Sequence, residues 1–253
     1  MEELGYMTDP AVVTVALAIL TLGAWRIGIG MGRQLSAEKR AMPQFDGTGV
    51  ALLALLLAFA FGTSMSKYEQ RRVAVLQDSN AIGDFYTCAT LLREPTRSKL
   101  QALIRAYAEE RLRLARQPPT HLELERALSD FQRMHQQMTT LVAQALADGT
   151  PIAVSLTNTL NALTSSHSDR LAALRDHLPG SILALLFVST IITTTLIGRS
   201  HGFSGTFDPT GIVCFVLIVS FVFYVTLDLN LAQRGFIKVS QEPVERLISS
   251  MTQ

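Results

Sequence analysis

Apolar residues gather in two blocks, one before Lys67 and one after Pro179, and a charged stretch separates them. A helix rises about 1.5 Å per residue and the hydrocarbon layer of a bilayer is about 30 Å thick, so a span takes roughly 20 mostly apolar residues. Four segments meet that requirement: residues 10–31, 48–66, 181–198 ("SILALLFVSTIITTTLIG") and 209–229, which includes "GIVCFVLIVSFVFYVTL". Short connections predict two helical hairpins, within residues 1–66 and 179–232, around an inserted domain at 67–178, with a short helix and tail at 233–253. The one charge in the first segment, Arg26, lies near its end, where a long side chain reaches the headgroups. The preceding "MEEL" is acidic where a secretory signal is basic, so this segment is expected to stay as a span.

The middle reads as helix throughout, with no period-2 apolar segment. Breaks fall at Pro95, with Thr96 available as a cap, at Pro118 and Pro119, and at "DGTP" (148–151), where Pro151 suits a first turn. Thr120 and Glu123 have the spacing of a capping box. Beyond Ser66 no Gly or Pro interrupts the chain at once, and Val73, Leu76, Ala81, Ile82, Phe85 and Leu92 keep a helical spacing. The second span is therefore expected to run on into the domain as one helix. Leu156, Leu160, Leu163, His167, Leu171 and Leu174 make a second stripe leading to the third span.

Composition agrees: 48% hydrophobic and only 17% charged residues are unusual for a soluble chain of 253 residues. A net charge of +1 and the lack of a basic run with interleaved aromatics give no case for nucleic acid. Cys88 and Cys214 are too far apart to read as a disulfide framework or a metal site. The glycines of "RIGIGMG" (Gly28, Gly30, Gly32) have no preceding strand and no Walker lysine, which leaves close packing or a helix end. His121, His135, His167, His177 and His201 lack paired ligand spacing and are read as solvated or capping. Ser64, Ser66 and Tyr68 have no His and Asp partners that would make a nucleophile. No catalytic group, metal or cofactor is expected, and the chain is not expected to be an enzyme.

Polarity inside the membrane is costly and therefore informative. In the second span Leu55, Phe59, Phe61, Gly62, Thr63 and Ser66 combine an aromatic constriction with small and hydroxyl-bearing positions, and they are the candidates for lining a pore. Helix packing is the alternative reading of the same residues. Ser189, Thr190, Thr193, Thr194 and Thr195 in the third span fit either a pore or contacts between helices. At the end of the fourth span Asp228 and Asn230 are candidates for a vestibule or for ion pairs with Arg71, Arg72 or Arg234. Glu242 and Glu245 read as surface charges on a short terminal helix.

"LLLAFAFGTSMSKYEQRRVAVLQDSNAIGDFY", "RLAALRDHLPGSILALL" and "DLNLAQRGFIKVSQEPVERL" together resemble the bacterial bestrophin-like membrane family, a domain family of unknown function. The resemblance covers most of the chain after Asp46. It implies a distant relation to bestrophins: oligomeric anion channels with four spans, a helical domain between the second and third, and a pore lined by the second. Bestrophins clasp calcium with acidic residues after the fourth span, whereas Asp228, Glu242 and Glu245 are dispersed here, so calcium gating is not implied. The apolar neck also differs, because Leu55, Phe59 and Thr63 share a stripe and Phe61 lies off it.

These readings predict an all-α, multi-pass protein of the bacterial inner membrane that forms a homo-oligomer in the lipid bilayer and passes small inorganic ions. The competing class is a non-conducting sensor or scaffold whose helical domain binds a partner. Arg33, Lys39 and Arg40 in the first loop favour an N-terminus outside, while Lys67, Arg71, Arg72, Arg234 and Lys238 favour the reverse; the former is expected, because long domains translocate with little regard to charge.

Overall fold

The computed structural model describes residues 9–34, 46–117, 120–205, 209–231 and 235–252. Among them are eight α-helices and no strand: α1 (Pro10–Arg33), α2 (Asp46–Thr90), α3 (Thr96–Arg116), α4 (His121–Ala147), α5 (Ala153–Arg175), α6 (Gly180–Ser204), α7 (Pro209–Asn230) and α8 (Glu242–Ser250). They divide into two compact units, one of residues 9–67, 177–231 and 235–237 and the other of 68–176 and 238–252. The expected run-on through Ser66 is observed, for α2 is a single helix of 45 residues that contributes to both units.

In the first unit α1, the N-terminal part of α2, α6 and α7 are long and apolar enough to cross a membrane. Each supplies the core: Leu17, Leu53 with Leu57 and Ala60, Leu186, and Val219 with Phe223. Outward positions are also apolar, among them Ile19, Ile27, Val188, Leu217 and Phe221, as a surface solvated by lipid requires. Asp9 starts α1 by accepting from the Ala11 N–H at 2.9 Å. Gly205, in the left-handed region at φ 69°, ends α6.

The seam between α1 and α6 is made by glycines at i, i+4 on both helices. A Cβ at Gly28 or Gly32 would come within 3.0 Å of the backbone of α6 at Thr195, Arg199 or Phe203. One at Gly198 or Gly202 would do the same to Trp25 or Ile29 of α1. Residue numbers rise together along the seam, so the two helices are parallel. Close approach of this kind replaces hydrophobic driving force, which is absent between helices in lipid, by dispersion contact. Two glycines of "RIGIGMG" thus serve packing, while a Cβ at Gly30 would meet nothing within 4 Å. The third-span hydroxyls also belong to packing: Thr190, Thr193 and Thr194 are buried, and Thr190, Thr194 and Thr195 donate to the carbonyls four residues earlier. Thr193 reaches the Gly49 carbonyl of α2 at 3.4 Å.

The second unit has its own core, in which Ile82 and Phe85 of α2 meet Leu100, Ile104 and Tyr107 of α3, Phe131 and Met138 of α4, and Leu156 and Leu163 of α5. Two members of the expected α2 stripe, Val73 and Leu76, are instead exposed, because the helix turns Ala74 and Val75 inward. Thr120 and Glu123 form the capping box, with the Glu123 carboxylate accepting from the Thr120 N–H at 2.8 Å. Thr96 begins α3 rather than capping it; Glu94 accepts from the Ser98 N–H at 3.3 Å and from its hydroxyl at 2.7 Å. Gly149, at φ 72°, follows the end of α4, and α5 begins at Ala153, two residues after Pro151. Helix α8 is tied down by Ser79, whose hydroxyl donates to the Pro243 carbonyl at 3.0 Å, and its Glu245 pairs with Arg116 at 2.8 Å.

Candidate pore face and a buried charge network

Along the apolar part of α2, Leu53, Leu57, Ala60 and Ser64 point into the bundle. The opposite side is left open: Leu55 and Phe59 are each 66% exposed, and Gly62 and Ser66 follow on the same stripe at helical spacing. Thr63 borders the stripe, half-buried, and donates to the Phe59 carbonyl at 2.9 Å. Phe61, 39% exposed, lies about a third of a turn away from it. The open stripe continues beyond Ser66 as Val73, Gln77, Asn80, Asp84 and Thr87. Its character therefore passes from bulky apolar, through small and hydroxyl-bearing, to polar.

The remaining candidates are dispersed. Asp228 is buried and its carboxylate accepts from two backbone N–H groups, Phe236 at 2.7 Å and Ile237 at 2.8 Å, which ties these two residues to the end of α7. Asn230 accepts from the Leu178 N–H at 2.6 Å. Arg71 is buried and donates to the carbonyls of Ala173 at 3.2 Å and Asp176 at 3.0 Å, whereas Arg72 is exposed beside Glu69. Arg234 lies outside the described residues. Among the described residues no group of three His, Cys, Asp or Glu side chains is placed to hold a metal.

The strongest polar feature is one that the sequence reading did not anticipate, a network inside the helical unit. Asp78 of α2 is fully buried. Its Oδ2 accepts from Arg170 Nη1 of α5 at 2.7 Å, and its Oδ1 from Ser166 Oγ at 3.2 Å and from Arg111 Nη2 of α3 at 3.4 Å. Arg111 also donates to the Tyr107 hydroxyl at 2.9 Å and lies 2.7 Å from His167 Nδ1. Since a guanidinium can only donate, that nitrogen carries no proton. The Arg111 guanidinium stacks on the Phe131 ring, 4.9 Å from its centroid. His135 packs edge-on to His167 at 5.0 Å, with its Nδ1 at 3.0 Å from the Phe131 carbonyl. His135 Nε2 and Arg111 Nε are buried without a hydrogen-bond partner.

This network corrects the reading of His135 and His167 as solvated or capping. Burial, then the neighbouring Arg111 and His135, push the His167 pKa down from 6.5 to about 4. Burial also lowers that of His135 and raises the Tyr107 hydroxyl to about 12. A signal was present in the register. Asp78 sits in line with Ala74, Ala81 and Phe85, Arg111 with Ile104 and Tyr107, and Arg170 with Leu156 and Leu163, each a charge in an inward-facing stripe.

Neither a curated protein nor a solved structure matches the chain. A family of bestrophin-like domains matches residues 14–244. That range takes in α1 from Thr14 onward, the other three apolar helices, the open face of α2 and the buried network of the helical unit. The chain is a multi-pass membrane protein, and it belongs to the bestrophin-like family.

Proposed function

We propose that the chain is the subunit of a homo-oligomeric channel that passes small ions passively, with the open face of α2 turned to the central axis. The observation that carries this reading is the change of character along that face. Exposed positions of α1 and α7 include Val12, Val15, Ile19, Leu217 and Phe221, residues suited to lipid. Among the described helices, only α2 leaves bulky apolar groups, glycine and hydroxyls, and then Val73, amides and a carboxylate on one continuous stripe, as a neck opening to a wetted vestibule would. Family membership supports channel function in general. The helices α1, α6 and α7 of each subunit would then lie behind α2, with Leu55 and Phe59 as the neck and Gly62, Thr63 and Ser66 beyond it; Phe61 would stand at the contact with the neighbouring subunit. Asp228, held by backbone donors, would shape the mouth rather than attract ions.

The test is ion flux through the purified protein in liposomes, with potassium, sodium and chloride gradients varied separately and with subunit number measured by light scattering. An oligomer with a defined reversal potential is expected, and Phe59→Ala is expected to raise conductance or alter gating. Currents unchanged by Phe59→Ala would remove α2 from the axis. An oligomer without flux under any gradient would favour the non-conducting scaffold.

A further inference from the structure

We infer, resting on the reading of α2 as the pore face, that the channel passes small cations in preference to anions and that Asp84 sets this preference. The sign is the reverse of what the resemblance to bestrophins implies. It follows from the charges that α2 presents along the stripe running from Leu55 through Ser66 and Val73 to Asp84. The helix holds three basic residues, Lys67, Arg71 and Arg72. At about 100° of turn per residue, all three lie about 100° or more from the centre of the stripe.

Arg71 is moreover buried against the carbonyls of Ala173 and Asp176, and Arg72 pairs with Glu69 at 3.0 Å. Asp84 is exposed on the stripe, and among the described residues it pairs with no cation. Arg246 of α8 lines the same groove as Asp84 but is held by Glu242. The next basic residue along the chain, Arg93, comes after α2 has ended. Around Asp84 the stripe is made of Gln77, Asn80 and Thr87, which both donate and accept and so hydrate an ion of either sign. Copies around an axis repeat Asp84 at one level, and a ring of carboxylates in a wetted vestibule draws cations and repels anions. Water in that vestibule leaves the attraction open to screening, over about 10 Å at 0.1 M salt and about 3 Å at 1 M.

The experiment is the reversal potential of the full chain in liposome-derived bilayers under a potassium chloride gradient, at about 0.1 M and again at about 1 M mean salt. Wild-type currents are expected to reverse near the potassium equilibrium potential. Asp84→Asn, an exposed substitution, is expected to lower the potassium-to-chloride permeability ratio about fivefold at the lower salt and little at the higher. Asn80→Asp, which adds a carboxylate one turn before, is expected to raise it, and Asp169→Asn, exposed on α5, to leave it unchanged. Reversal near the chloride potential, or a ratio unmoved by Asp84→Asn, would overturn the proposal while a conductance still sensitive to Phe59→Ala kept α2 at the axis. An equal fall with Asp169→Asn would overturn it in favour of the net charge of the molecule. Absence of flux under every gradient would overturn both the preference and the channel.

Discussion

Asp78 neutralises part of two guanidiniums in a space closed to water, and its removal strands both. Breaking a buried ion pair from one side costs about 3–5 kcal/mol, because the partner charge stays behind without compensation. Asp78→Ala is expected to destabilise the helical unit on that scale; a loss under about 1 kcal/mol in denaturant titration would show that the arginines re-pair or reach water. His167 gives the network a pH response. Its folded-state pKa, about 4, is below the ordinary 6.5, so the unfolded chain takes up the proton first. Stability is then full above pH 6.5 and falls as the pH drops from 6.5 towards 4, with His135 adding to the slope in the same direction. Arg111 and Arg170 disfavour the charged ring and Asp78 favours it. His167→Gln should flatten the melting temperature between pH 6.5 and 5, and an unchanged slope would assign the effect to other groups. Hydropathy could not reveal this cluster, since it averages each charge with its apolar neighbours; the register of Asp78, Arg111 and Arg170 could have.

Among the helices, α2 was legible because no breaker directly follows Ser66 and because Ala81, Ile82, Phe85 and Leu92 keep a helical spacing beyond it. Val73 and Leu76 misled, since an apolar residue at the right interval does not say which side of a long helix is covered. The seam of α1 and α6 was legible only by half. Glycines at 28 and 32 announced close approach, but nothing in "RIGIGMG" named α6 as the partner. The seam predicts a sharp contrast in mutational cost. Gly198→Leu would drive a side chain into the backbone of α1, where nothing can yield, and should cost more than the 1–3 kcal/mol of ordinary overpacking. Gly30→Leu, which meets open space, should melt within a degree or two of the wild type. Equal melting temperatures for the two variants, measured in the same detergent, would mean that the helices slide apart without penalty.

For the molecule as a whole, four apolar segments and a helical insert follow from length and hydropathy alone, because the bilayer imposes one dimension on every span. Pairing among the spans does not, because neighbours in sequence suggest hairpins while the close contact of α1 is with α6. The proposed conduction would likewise belong to an assembly: the open side of α2 would acquire its meaning when copies surround an axis, and flux with the Phe59→Ala comparison tests it at that level. The α1 and α6 seam also bears on biogenesis. Trp25 and His201, joined across it by a 3.2 Å hydrogen bond, are 176 residues apart. At synthesis rates of about 5–20 residues per second, the first helix waits roughly 9–35 s in the bilayer before its partner leaves the ribosome. It does so with its glycines against lipid, which demand no polar partner, so the interval is one in which chaperones or another newly made copy could engage the same groove.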